Sequence, residues 1–332
     1  MHHMNSFDAL LVVSFGGPEN REEVLPFLEN VLRGKNVPRE RMLEVAEHYY
    51  HFEGRSPIND QNKELIAALE AEFRNHGIKI PVYWGNRNWH PLLPDTLKQM
   101  QADGVRNAAA LVTSAFGSYS GCRQYREDIA RAQQAAGAES MTIEKLPNFC
   151  DRPEFIEVMI ERVRAAMAQF PGAEQLIFTA HSVPMSMADT SPYVRQLKAA
   201  SERVAAACGS SNWTLVYQSR SGPPLQPWLA PDICEYLRAQ HASGVRSVIV
   251  CPIGFISDHM EVLYDLDTEA RALCDEIGLK MVRAGTAGSH PKLVAMIRDM
   301  VLNAQTSAVL AHCEAGCCPP PPQRPAAGKP LL

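Results

Sequence analysis

Three carboxylates, Glu261, Asp265 and Glu269, recur at every fourth residue of "PIGFISDHMEVLYDLDTEA", residues 252–270. On an α-helix, positions i, i+4 and i+8 stay within an arc of roughly 80°, so the three acids share one face. Like charges at that spacing repel by a few tenths of a kcal/mol per pair. A bound cation, or protonation of one acid, removes the repulsion. A candidate partner lies upstream. His181, in "FTAHSVPMSM", ends an apolar run and precedes a proline-containing loop. Carboxylates with an imidazole suit a divalent metal such as ferrous iron, and a neutral imidazole can take or give a proton near pH 7. Blander roles compete. Asp258 and Glu261 fit a D-x-x-E capping box, acids in a first turn favour the helix dipole, and Asp265 and Glu269 fit a solvated face. His259, about 200° from Glu261 on the helix wheel, reads as a residue that satisfies a loop. A lone histidine at a strand end is usually a hydrogen-bonded core residue. A histidine facing a row of acids across a cleft is a more specific constellation.

The elements that would hold these groups follow from the apolar pattern. Apolar runs at 8–15, 79–85, 107–115 and 141–146 read as strands, and a second series follows at 175–182, 213–219, 246–255 and 279–284. Helical patterns lie between them, at 62–76, 93–103, 121–136, 154–169, 192–208, 231–241, 259–275 and 291–304. Near-continuous apolar strands separated by helices imply parallel sheets covered on both faces. Four strands, then four more, imply two similar α/β halves, with the boundary near 168–175. In such sheets a ligand sits beyond the carboxyl ends of the strands. The segments there, including "FGGPEN", "SAFGSYSGCRQY", "AHSVP" and "GFISDHMEVLYD", have the composition of a site built on loops.

Composition narrows the class. The 332 residues carry a formal net charge of −5, which is no nucleic-acid footprint. No run approaches the eighteen or more apolar residues of a membrane span. Nine cysteines without a secretory signal argue for reduced thiols in the cytoplasm rather than a disulfide framework. The opening "MHHMNS" reads as a cloning remnant, and the tail "CCPPPPQRPAAGKPLL" is expected to be disordered after about residue 319.

With these motifs in view, the sequence resembles the ferrochelatase family over about residues 7 to 305. "AHSVP" resembles its metal-site histidine motif and "PIGFISDHMEVLYDLDTEA" its acidic-helix motif. "SFGGPE", "FLENVLRGKNVP", "HYYHFEGRSPIND", "SAFGSYSGCRQYRED" and "YQSRSGPPLQPWLAPD" resemble the remaining blocks in family order. The resemblance implies insertion of Fe²⁺ into a porphyrin, in a cleft between two Rossmann-like domains. Each would be a four-stranded parallel sheet flanked by helices, at 7–170 and 171–306, followed by a cysteine-containing, proline-rich extension at 307–332. It puts His181 and Glu261 on opposite sides of the macrocycle as catalytic groups. Asp265 and Glu269 then extend the metal path, on a helix that is often π-distorted. By the same resemblance Arg33, Tyr49, Ser56 and Tyr125 are polar anchors, and Trp228 lines the pocket with Phe15. Some relatives have a tyrosine at Phe15 that can ligate product iron, and Phe15 has no such oxygen.

The segment 34–58, "GKNVPRERMLEVAEHYYHFEGRSPI", is too polar to dip into a bilayer. A four-carboxylate porphyrin fits a soluble enzyme better. The motifs resemble the actinobacterial branch, which implies coproporphyrin III, with protoporphyrin IX as the alternative. A non-catalytic haem carrier and a cobalt chelatase are the competing classes, and a downstream haem-pathway enzyme is a candidate partner. Some members hold a 2Fe–2S cluster on three C-terminal cysteines and an internal one. That implies Cys313, Cys317 and Cys318 with Cys150 here, whereas Cys122, Cys208, Cys234, Cys251 and Cys274 read as buried small hydrophobes.

Overall fold

Two four-stranded sheets, both entirely parallel, are built in succession from the two halves of the chain. The computed structural model describes residues 7–35, 37–222, 225–306 and 316–320. The first sheet contains β1 (Ala9–Ser14), β2 (Val82–Asn86), β3 (Asn107–Val112) and β4 (Thr142–Lys145) in the order β2-β1-β3-β4. The second contains β5 (Gln175–His181), β6 (Trp213–Gln218), β7 (Ser247–Cys251) and β8 (Lys280–Arg283) in the order β6-β5-β7-β8. The two orders are the same topology repeated. All six residues of β1 are buried, as a strand covered on both faces requires. Leu11 pairs with Tyr83 and Ala110, and Phe178 with Leu215 and Cys251.

The halves share a core. Leu10 and Val12 of the first sheet belong to one apolar cluster with Phe178 and Ile249 of the second. The helix Pro291–Thr306 packs on the helices Ile58–Asn75 and Pro153–Gln169. Arg298 reinforces this seam by donating to His76 Nε2 at 2.9 Å and pairing with Glu72. The helix Pro153–Gln169 precedes β5 yet lies against β7, β8 and the helix Tyr193–Ala207.

All eight expected strands form; seven lie within the expected bounds, and β2 starts three residues later than expected and runs one residue past the expected end. Besides the single turn Met185–Ala188, two helices among the described residues had no counterpart in the sequence reading, Arg21–Leu32 and Arg39–Tyr50. The first contains Pro26, which ordinarily argues against a helix interior. The second carries the charged residues Arg39, Glu40, Arg41, Glu44 and Glu47. They form because they pack on each other around a small core of Val24, Phe27, Leu28, Met42 and Ala46. The N-terminus of the first is closed by Asn20, whose side chain accepts from the Glu23 backbone N–H at 3.1 Å. The expected disorder concerns a tail that, apart from residues 319–320, lies outside the described residues.

Candidate active site

β5 delivers His181 to its carboxyl end, where open parallel sheets expose loop groups. The loop after β7 must reach the same place for the acidic helix to meet it. Gly254 permits this. Its backbone N–H donates to the Thr179 carbonyl at 3.0 Å, and a Cβ there would lie 2.6 Å from that of Ala180. Any side chain would push the loop off β5. The result is a direct contact between His181 Nε2 and Glu261 Oε1, 3.3 Å apart. On its other edge the imidazole donates from Nδ1 to the Ser182 carbonyl. Tyr193 donates its hydroxyl to the His181 carbonyl at 3.1 Å.

This contact corrects the expectation that the two residues flank a macrocycle. A flat ring between them needs two van der Waals contacts, or about 7 Å in all. A protonated imidazole and a carboxylate attract instead, and the pair closes. The 3.3 Å gap leaves no room for a ring between them.

The acidic helix is α-helical at Met260–Val262, π-helical over Leu263–Ala270 and α-helical again from Arg271 to Ile277. Such π segments are rare and concentrate at functional sites. The carbonyls it leaves over find other donors. Thr268 Oγ1 donates to the Leu263 carbonyl at 3.2 Å, and Gln218 Nε2 to the Glu261 carbonyl at 2.7 Å. The expected Asp258 cap is not the cap observed. His259 is the N-cap, accepting from the Glu261 N–H at 3.2 Å, and its ring lies 3.9 Å from the Glu261 carboxylate. The helix wheel failed for His259 because a cap residue has extended, not helical, backbone. Asp258 turns instead to Arg283 at 3.0 Å.

The charges differ from those of isolated side chains. Burial opposes protonation of His181, but the adjacent Glu261 charge and the hydrogen bonds to Glu261 and Ser182 outweigh it and raise the imidazole pKa. Burial likewise opposes ionisation of Glu261, and the charge and hydrogen bond of His181 overcome it and lower the carboxyl pKa. Both shifts favour a proton on the imidazole beside an ionised carboxylate. Asp265 differs again. Burial, with the charges of Glu261 and Glu269, pushes it up to about 7 despite the hydrogen bond from Ser219. Glu269 is also raised, by burial and then Asp232.

Glu261, Asp265 and Glu269 line one cavity of about 700 Å³ together with Gln218, Ser219, Asp232, Cys234 and the helix residues Arg41, Val45 and His48. The acids follow one another along its wall. Among the described residues no three ligating side chains are gathered closely enough to hold a metal ion. Glu261 is paired with His181, and Asp265 with Ser219. Ser219 sits at φ 61°, a left-handed conformation costly for a non-glycine residue. Gln218, Ser219 and Arg41 were not singled out from sequence. Ser219 lies in a quoted loop, but no spacing rule connects it to Asp265. The segment read as too polar for a bilayer contains the helix Arg39–Tyr50, which closes this cavity, with His48 stacked on Tyr264 at 3.7 Å between ring centroids.

The first half contributes an aromatic wall. Phe15 is 36% exposed at the end of β1 and packs edge-on to Phe27, as do Tyr49 and Trp89. Burial, then the Glu261 charge, raises the Tyr49 pKa, which brings this wall and the acidic helix into one electrostatic neighbourhood. Arg33 is exposed at the end of the helix Arg21–Leu32. Ser56 and Tyr125 are buried, Ser56 against Gly17 and Tyr125 beneath the Arg87 guanidinium. Trp228 is partly exposed and lies over Gly222.

Cys313 lies outside the described residues. Cys150 is buried, and its thiol is pushed up to about 12, by burial first and the Asp151 charge second. Cys317 accepts from Arg126 on its sulfur at 3.4 Å and from Arg123 on its carbonyl at 3.5 Å. Cys150 is hydrogen-bonded to Ala115, just before that stretch. Thiolates suit a 2Fe–2S cluster in kind, but among the described residues the cysteines are not gathered around one point. Of the cysteines read as core, Cys122, Cys251 and Cys274 are buried; Cys208 and Cys234 are partly exposed, Cys234 on the cavity wall.

Among the described residues no helix is long and apolar enough to cross a membrane. The family model described as Ferrochelatase matches residues 7–305. A ferrochelatase of Rhodopirellula baltica is 50% identical over 100% of this chain and 99% of its own. A coproporphyrin III ferrochelatase of Streptomyces coelicolor is 46% identical, covering 97% and 96% of the two chains. The fold is similar to that of the sirohydrochlorin chelatase SirB of Bacillus subtilis subspecies spizizenii, with a TM-score of 0.52 at 14% identity over 90% of this chain and 95% of that one. The chain belongs to the ferrochelatase family, enzymes that insert iron into a porphyrin.

Proposed function

We propose that this enzyme inserts Fe²⁺ into coproporphyrin III in the cytoplasm, with His181 and Glu261 as the groups that exchange metal for protons. The observation that carries the mechanism is the His181–Glu261 pair at the head of a continuous acid row. Ferrous iron approaches past Glu269 and Asp265 and replaces the proton held between His181 and Glu261, which leaves to solvent along the same acid row. The imidazole, now without its proton, and the carboxylate present the metal to one face of the ring. Insertion forms four Fe–N bonds and releases two pyrrole protons. As iron leaves His181 for the ring, the imidazole can take one of them. The other passes to Glu261 and on to Asp265, whose pKa near 7 lets it accept and release a proton at neutral pH. The exposed face of Phe15 and its aromatic neighbours suit the flat, apolar ring, and Arg33 suits a bidentate grip on a carboxylate. Tyr49, Ser56, Tyr125 and Trp228 complete the proposed porphyrin contacts.

The choice of coproporphyrin III rests on the relatives of that name and on the polarity of residues 34–58. The kcat/KM of the two porphyrins, measured anaerobically with Fe²⁺, checks it. Coproporphyrin III is expected to be preferred by about tenfold or more, the worth of one or two further charged contacts. Preference for protoporphyrin IX overturns the choice, and stoichiometric binding without turnover overturns the reaction in favour of a carrier.

The proposal includes a structural 2Fe–2S cluster on Cys150, Cys313, Cys317 and Cys318, which rests on the family resemblance; Cys317 lies against Arg123 and Arg126 of the first half. When bound, it would cross-link the C-terminus to the first half and take no part in insertion. Anaerobically purified protein is expected to contain iron and acid-labile sulfide in equal amounts. Absence of sulfide removes the cluster and leaves the insertion chemistry untouched.

A further inference from the structure

Arg283 takes no part in the reaction above, yet it is bonded to the acidic helix at two points. It ends β8, with its side chain 15% exposed. Nε and Nη2 donate to the two carboxylate oxygens of Asp267 at 2.7 and 2.8 Å. Nη1 donates to Asp258 at 3.0 Å and to the Ala284 carbonyl at 3.3 Å. Asp267 lies inside the π-helical segment, between two acids that line the cavity, but does not line it itself. Asp258 immediately precedes the helix cap. Its backbone is held from the opposite half: its N–H donates to Gln61 Oε1 at 2.8 Å, and its carbonyl accepts from Gln61 Nε2 at 3.0 Å.

One guanidinium thus grips the helix on the side away from the cavity, both before its first turn and within its π segment. A π winding is less favourable than an α winding unless its surroundings impose it. If the segment tightens to an α-helix, the three acids still share one face, but Asp265 and Glu269 turn about the axis relative to Glu261 and leave the positions in which they line the cavity and Asp265 meets Ser219. We propose that Arg283 is a positioning residue that fixes this winding, so that Asp265 and Glu269 keep their places on the cavity wall beyond Glu261 for iron. The inference rests on the proposed reading of that row as the iron path. A planar five-donor fork is needed, because lysine carries the charge but cannot span both oxygens of Asp267 and reach Asp258.

Arg283→Lys and Arg283→Met, made in the full chain, separate this role from mere structural support. The readouts are thermal midpoint, porphyrin affinity by fluorescence quenching, and KM for Fe²⁺ with kcat under anaerobic conditions. In Arg283→Met the kcat/KM for Fe²⁺ is expected to fall by about tenfold or more, as for a displaced reacting group, while porphyrin affinity holds. Arg283→Lys is expected to lie between it and wild type. If both variants keep wild-type iron kinetics, or if porphyrin affinity falls in step with them, the assignment is overturned. Should Arg283→Met fail to fold, Arg283→Lys decides by the same criteria. A wild-type protein that does not insert iron overturns the function itself, whereas active wild type with unchanged variants overturns only the role of Arg283.

Discussion

Replacing His181 by Ala is expected to slow iron insertion by at least about a hundredfold at saturating porphyrin and iron, the lower end for losing a positioned acid–base group. Two functions disappear together: the neutral nitrogen that presents the metal, and the base that receives a pyrrole proton when the metal departs. The porphyrin should still bind, because the aromatic wall of Phe15, Phe27, Tyr49 and Trp89 belongs to the other half of the chain. Steady-state kcat and a separate porphyrin titration check this. A variant that keeps near wild-type turnover removes His181 from the mechanism.

Glu261→Gln is expected to cost about as much in turnover and, unlike the histidine variant, to leave a spectroscopic trace. In the wild type the Glu261 carboxylate overcomes burial and holds a proton on His181. An amide has no charge with which to do so. Burial, which disfavours the imidazolium, then dominates, so the His181 pKa should fall by at least about one pH unit. NMR titration of ring-labelled, metal-free protein measures it. The sign carries over to kinetics. A raised pKa keeps the proton in place through neutral pH, so wild-type insertion at limiting iron should accelerate as pH rises and the proton leaves. In Glu261→Gln the residual activity should reach its plateau at lower pH. An unchanged histidine pKa contradicts the electrostatic coupling, whatever the effect on turnover.

Much of this architecture is written locally. Buried parallel strands need near-continuous apolar runs, and all eight stand out for that reason. His181 and Glu261 were legible because each follows such a run, where loops present chemistry. Less legible were groups whose role depends on a distant partner. Ser219 is one polar residue among several in its loop until β6 and the acidic helix meet, when it becomes the donor to Asp265. Arg41 read only as part of a segment too polar for a bilayer, and His48 was not singled out, because their helix forms by packing on the helix Arg21–Leu32 around a small shared core. The helix wheel misplaced His259 because it assumes α-geometry where the chain is extended. It also could not foresee the π segment, which side-chain donors to the backbone support. The contact between His181 and Glu261 was hidden for another reason. Spacing reports which groups share a face, but not whether opposite charges close the gap between two faces.

The central claim is that the imidazole and carboxylate act as one unit that trades a proton for iron. Single-turnover metallation, followed anaerobically in wild type, Glu261→Gln, His181→Ala and the double variant, tests it most directly. Groups acting as a unit are non-additive, so the double variant should be no slower than the slower single variant. Multiplied losses, or single variants that metallate porphyrin at the wild-type rate, would contradict the claim.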